Sequence, residues 1–413
     1  MRAEQKTAVK NSIGRLVFVA LSVLLQVIWI CVQAMKLNRY STWISVATSV
    51  LTLVVVILLY GRRTNAAFKM PWIILILAFP VLGLGMYLLF GRKEATQLVR
   101  ERFERIDQSL DGLLIQDKAV RIKLQQTDRM AANEAAYIWN YAKYPIYQNT
   151  DVVFYKEASE GIEAQKQALN QAKHFIFMEY HAIEDKQSFG ELKEILARKA
   201  KEGVEVRLFY DDIGSIGFIN TDFIQRMEAE GIQCRVFNRL MPVLNVFMNN
   251  RDHRKITVID GKIGFTGGYN LADEYFNITH PYGYWKDTGV RIEGEAVWSL
   301  TAMFLEMWNY INRSTEDYSR FLPSVYREKE FTSDGFVQPY GDSPLDNENV
   351  GENIYLNIIN RAKNYVYIFT PYLIIDHEML ICLSNAAKSG VEFFGSQTYC
   401  AVAENTESHE ILG

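Results

Sequence analysis

The chain has 413 residues, 49% of them hydrophobic and 22% charged, which is room for two or three folded units and excludes a disordered composition. A net charge of −4 gives no electrostatic footprint for nucleic acid. Cys31, Cys234, Cys382 and Cys400 are scattered along the chain, which argues against a disulfide framework or a cysteine metal site.

The chain opens with three apolar runs, 16–35, 40–60 and 71–90, and none of them contains a charge. A bilayer core of ~30 Å needs about 20 helical residues, so each run is long enough to span. A cleaved signal peptide has an apolar region of roughly 7–15 residues, shorter than these. Residues 1–93 are therefore expected to be a multi-pass membrane region. Lys and Arg divide evenly between the two sides, so the positive-inside rule does not fix the orientation. The catalytic part is expected on the cytoplasmic side. Pro80, Gly83 and Gly85 allow the third run to be kinked or re-entrant.

Residues 94–143 read as a charged helical connector. Strands and helices then alternate. His174 to Tyr180 becomes a buried strand, Phe189 to Lys201 is an amphipathic helix capped by Gly203, and Val204 to Tyr210 is the next strand. This βαβ rhythm predicts an α/β fold with a mostly parallel sheet. The pattern returns later, offset by 190 residues at the strand (Ala172 against Ala362) and by 187 at the helix cap (Gly203 against Gly390). A repeat of that length is a duplicated domain. The expected halves are 144–325 and 326–413, with the second incomplete and its tail diverging from 393.

The chemistry concentrates in His253-Arg-Lys255-Ile-Thr-Val-Ile-Asp260, followed by Gly267-Gly268-Tyr269-Asn270. In an extended strand His253 and Lys255 point to the same side. An imidazole nucleophile, a fixed ammonium and an amide donor suit attack on a phosphodiester. Lys255 would neutralise one phosphate oxygen, and Asn270 would donate to another. Asp287, in Tyr284-Trp-Lys-Asp-Thr-Gly289, is the expected acceptor that holds the other nitrogen of His253. Asp260 ends the strand at a turn and reads as a structural residue. Asp211 and Asp212 follow a strand directly, either as substrate-facing acids or as a cap. No metal or other cofactor is needed for this chemistry, and the remaining histidines show no ligand spacing.

Positions 253–270 match without a gap the His-x-Lys-x4-Asp-x6-Gly-Gly-x-Asn mark of the phospholipase D superfamily, within a motif region of about 247–274. The chain resembles bacterial cardiolipin synthases from about Lys69 to Glu392. The phrases that carry the likeness include Asn249-Asn-Arg251-Asp252-His253-Arg-Lys255 and Phe265-Thr-Gly-Gly-Tyr-Asn-Leu-Ala-Asp273-Glu274-Tyr275. The resemblance implies two facing half-domains in a mixed-sheet fold. It implies a catalytic set of His253, Lys255, Asp260, Asn270 and Asp287, with a phosphohistidine on His253. It implies conversion of two phosphatidylglycerol molecules to cardiolipin and glycerol in the bacterial cell membrane, with membrane phospholipids as partners and no nucleic acid. No other histidine is followed two residues later by lysine, so a second set is absent and this chain is expected to be impaired or inactive. The other readings are a phospholipase D-like phosphodiesterase that uses water, and an inert truncated fragment.

Overall fold

A computed structural model describes residues 42–62, 66–87, 97–110, 112–239, 251–314, 316–326, 333–343, 348–370 and 374–397, with isolated residues and short pieces elsewhere. The elements up to the first strand are helices: α1 (Thr42–Gly61), α2 (Ala66–Ala78), α3 (Pro80–Met86), α4 (Gln97–Leu110), α5 (Lys118–Thr127) and α6 (Arg129–Ala142). Asp117 and Asp128 start α5 and α6 by accepting backbone N–H bonds from Ala119, and from Met130 and Ala131.

Among the described residues no helix is long and apolar enough to cross a membrane. The expected span at 71–90 is interrupted. Phe79 leaves the helical region at φ −136°, ψ 77°, because the ring of Pro80 disfavours a helical residue before it. The run 16–35 lies almost entirely outside the described residues. The multi-pass expectation is thus not met by the described helices.

The main sheet is built from β1 (Thr150–Tyr155), β2 (Phe175–Tyr180), β3 (Glu205–Asp211), β4 (Gln233–Phe237), β5 (Lys255–Ile259), β6 (Ile263–Gly267) and β7 (Gly289–Gly294). Its order is β1-β7-β6-β5-β2-β3-β4. Only β2, β3 and β4 pair in parallel, and the other neighbours are antiparallel. The mostly parallel sheet read from the βαβ rhythm is therefore corrected to the mixed sheet that the resemblance implied. The reason lies in Asp260-Gly261. Both take positive φ, 53° and 62°, and Lys262 N donates to Ile259 O at 3.0 Å. This tight turn sends β6 back beside β5.

Helices α7 (Ala158–Asn170) and α8 (Gln187–Lys201) cover one face of the sheet, and α9 (Phe223–Ala229) continues that layer. β2 is buried on both faces, so its side chains alternate between two cores. Ile176, Met178 and Tyr180 pack with Leu192 and Leu196 of α8. Phe175 and Phe177 face the other way, toward α10 (Val297–Asn312). There Phe177 stacks on Phe304 with ring centroids 4.6 Å apart. Each such fully buried side chain contributes roughly 1.5–3 kcal/mol.

Beyond α10 come α11 (Val350–Arg361), β8 (Tyr365–Thr370), α12 (His377–Lys388), β9 (Glu392–Gln397), β10 (Cys400–Asn405) and β11 (Glu410–Leu412). They form a second sheet in the order β11-β10-β9-β8. The register repeats the internal offset, since Phe175 pairs with Glu205 in the first sheet and Tyr365 with Glu392 in the second. Residues 393–397 belong to β9, in parallel with β8, and Phe393 is buried against Leu383 of α12.

Candidate active site

The topology gathers the site at one edge of the main sheet. β2 and β3 end there, at Tyr180 and Asp211. β5 is antiparallel to β2, so it begins at that edge, with Tyr180 opposite Lys255. β6 ends at the same edge and β7 begins there, with Gly267 opposite Gly289. Segments carrying His181, Asp211, His253, Lys255, Asn270 and Asp287 therefore converge, at the carboxyl end of the parallel strands where such sheets place ligands.

The approach to β5 alternates. Asp252 and Arg254 are anchored inward. Asp252 N donates to Asp211 Oδ2 at 3.2 Å, and Arg254 Nε donates to Glu179 Oε1 at 2.6 Å. Asp211 also caps the helical turn Asp212–Ser215 by accepting from Ile213 N and Gly214 N. With 252 and 254 pinned, 253 and 255 share the other side. Lys255 Nζ lies 3.1 Å from His253 Nδ1 and 3.5 Å from Nε2, and it donates to the His253 carbonyl oxygen at 2.7 Å.

Burial, the Lys255 charge and then the His181 charge push the His253 imidazole down to about 4. Its ring is therefore neutral at physiological pH, with one nitrogen carrying a lone pair. Burial pulls the Lys255 ammonium down to about 8, against the opposing pull of Asp252 and Asp287. Burial raises the Asp287 carboxyl, opposed by the Thr288 N–H, the Trp285 indole and Lys255.

The other expected residues fall into place unequally. Asn270 is buried, and its amide is engaged within the protein: Oδ1 accepts from Ala182 N at 3.1 Å, and Nδ2 donates to Tyr275 Oη at 2.9 Å. Asp287 accepts from Thr288 N at 2.8 Å and Trp285 Nε1 at 3.3 Å. Among the described residues no hydrogen bond joins Asp287 to His253, and its nearest role here is as a charge facing Lys255. A Cβ at Gly268 would lie 2.2 Å from Asp287 Oδ1, so that glycine makes room for the carboxylate. Asp260 stands apart. It lies past the far end of β5, roughly 17 Å away at the usual strand rise. There it accepts from Lys173 N, His174 N and Phe175 N, each at 2.8 Å, and fixes the start of β2.

Sequence reasoning missed His181. Its ring centroid is 4.6 Å from that of His253, and its Nδ1 is 2.7 Å from Asp252 O. No local motif marks it. Only the pairing of β2 with β5 brings it to the site. A cavity of about 1580 Å³ opens beside His253, and Arg100, Phe103, Trp139 and Lys143 of the connector and its end help to line it.

Residues 166–308 match the family described as cardiolipin synthase, PLD-like domain, and residues 48–92 match the phospholipase D-nuclease N-terminal family. A cardiolipin synthase of Halalkalibacterium halodurans is 32% identical over 85% of this chain and 70% of its own length. An uncharacterized protein of Streptococcus mutans serotype c is 39% identical over 82% of this chain and 72% of its own. A phosphatidylserine synthase of Haemophilus influenzae is similar in structure at 15% identity and a TM-score of 0.43, covering 63% of this chain and 65% of that one. The described fold is α/β with the mixed sheet of phospholipase D-like proteins, and the chain belongs to the cardiolipin synthase family of phosphatidyltransferase enzymes.

Proposed function

We propose that the chain transfers a phosphatidyl group from one phosphatidylglycerol to a hydroxyl of a second, giving cardiolipin and glycerol, with the group carried on His253 between the two steps. The carrying observation is the contact of a neutral imidazole with the buried Lys255 ammonium. The imidazole lone pair forms the bond to phosphorus, and Lys255 offsets the charge growing on the phosphate oxygens. Asp287 supports that cation electrostatically. Asn270, held by Ala182 and Tyr275, keeps the loop after β6 against the segment after β2. The large cavity with basic and aromatic lining suits an anionic lipid headgroup.

The amino-terminal helices support a membrane location. Val50, Leu53, Ile57 and Leu58 of α1 and Ile74 and Leu77 of α2 are all exposed apolar residues, which fits contact with lipid. The repeated register of β2–β3 and β8–β9 supports reading 144–325 and 326–413 as two halves of a duplicated domain.

The test uses the full chain in vesicles of phosphatidylglycerol labelled in its glycerol headgroup. Cardiolipin and free glycerol in step, both abolished in His253→Ala, support the reading. Phosphatidic acid in place of cardiolipin would assign a hydrolase, and no product at all would assign an inactive chain.

A further inference from the structure

Strand β2 is buried along its whole length, yet it carries one acid, Glu179. That side chain shares the face of Phe175 and Phe177, turned toward α10. An acid there costs desolvation that an apolar residue would avoid. Its partner is Arg254, whose Nε donates to Glu179 Oε1 at 2.6 Å. A second buried acid stands on the same guanidinium, since Arg254 Nε lies 3.5 Å from Asp252 Oδ1. Asp252 Oδ1 also accepts from Arg254 N at 3.3 Å. Two buried carboxyl groups thus share one cation.

Fully ionised, that cluster would hold an excess negative charge out of water. Its hydrogen bonds do not close either. Glu179 Oε2 and Asp252 Oδ2 are both buried and, among the described residues, neither receives a hydrogen bond. Two unmet buried acceptors add a cost of their own. One proton between the two carboxyl groups cancels the excess charge and satisfies both oxygens. Burial raises the Glu179 carboxyl well above the usual carboxylate range. Arg254 opposes that shift, and Asp252 adds to it both as a charge and as a hydrogen-bonding neighbour. The other titratable groups around the cluster are Tyr144 and Glu306 beside Arg254, and Asp211 and Lys255 beside Asp252.

We propose that Glu179 holds a proton and donates it from Oε2 to Asp252 Oδ2, and that this acid pair with Arg254 positions His253. The cluster reaches the chain on both sides of the imidazole, because Asp252 precedes His253 and Arg254 follows it. Glu179 belongs to β2, and Arg254 Nη2 donates to Met303 O of α10 at 3.3 Å. The segment that carries the imidazole is thereby tied to two elements of the core. With the proton in place the cluster sums to zero charge, so it holds the backbone without a net anion that would favour the imidazolium. The positioning role rests on the phosphohistidine reading above, whereas the shared proton does not.

Infrared spectroscopy of the full chain tests the proton. At neutral pH the spectrum should contain a protonated-carboxyl band that disappears in Glu179→Gln and persists in His253→Ala. No such band, or one undiminished in Glu179→Gln, overturns the proposal. Kinetics on phosphatidylglycerol test the positioning. The amide of Glu179→Gln can accept from Arg254 and donate to Asp252, so kcat should stay within about threefold. Glu179→Ala breaks both links and should lower kcat by about 10- to 100-fold, the usual loss for a displaced reacting group, with KM little changed. Equal losses in the two variants, or no loss in Glu179→Ala, overturn the positioning role. Glu179→Met, of similar length with neither donor nor acceptor at its end, replaces Glu179→Ala if that variant folds poorly. The infrared measurement needs no turnover, so its failure is distinct from a failure of the transfer reading.

Discussion

Lys255 Nζ touches His253 at two places, Nδ1 at 3.1 Å and the carbonyl oxygen at 2.7 Å. One ammonium thereby holds the backbone at His253 and stands beside its imidazole. Lys255→Met should leave the fold intact and lower turnover by about 10²–10³, the usual loss for one preorganised charge-stabilising group. The measurement is kcat on phosphatidylglycerol alongside a thermal melt. A loss under threefold would remove Lys255 from the chemistry.

The pH profile follows from the same pair. His253 is pushed down to about 4, so its nucleophilic neutral form is kept above pH 4 and lost below it. Lys255 is pulled down to about 8, so its cation is present below pH 8 and lost as pH rises through it. Activity should therefore hold between about pH 4 and 8. In Lys255→Arg the residual activity should persist to higher pH, because a guanidinium stays charged. An alkaline limit that does not move in that variant would show that another group sets it.

Gly268 should tolerate no side chain. A methyl group there meets Asp287 Oδ1 at 2.2 Å, and that carboxylate is tethered by Thr288 N and Trp285 Nε1. Gly268→Ala should cost at least tenfold in kcat by displacing the counter-charge of Lys255. Stability should change little, since no positive φ is required of the backbone at Gly268. Unaltered kinetics in this variant would mean that Asp287 can shift without consequence.

Asp260 should behave in the opposite way. It accepts three backbone N–H groups at the start of β2 from a residue at φ 53°. Asp260→Ala leaves those donors without their partner and should destabilise the protein by about 3 kcal/mol. Asp260→Asn, which retains an acceptor and tolerates positive φ, should cost less. Chemical denaturation of both variants measures this. A normal midpoint with lost activity would instead place Asp260 in the reaction.

Local pattern was enough for the parts whose physics is local. The alternation of 253 and 255, the Asp260-Gly261 turn, the cap at Gly203 and the repeat that sets β8 against β9 all depend on near neighbours or on self-similarity. The break at Phe79 was readable as an allowance from Pro80, though not as a certainty.

What the sequence alone determined about this protein is its family and the pairing of His253 with Lys255, because a strand's two-residue period ties the two together with no help from elsewhere. Tertiary structure alone decided what surrounds them. The antiparallel pairing of β2 with β5 brings His181 to His253 across a gap of 72 residues. The same pairing carries Asp260 to the opposite edge of the sheet, where it accepts from three backbone N–H groups. Through-space neighbours set by strand order have no counterpart in residue spacing, so no motif could have announced them.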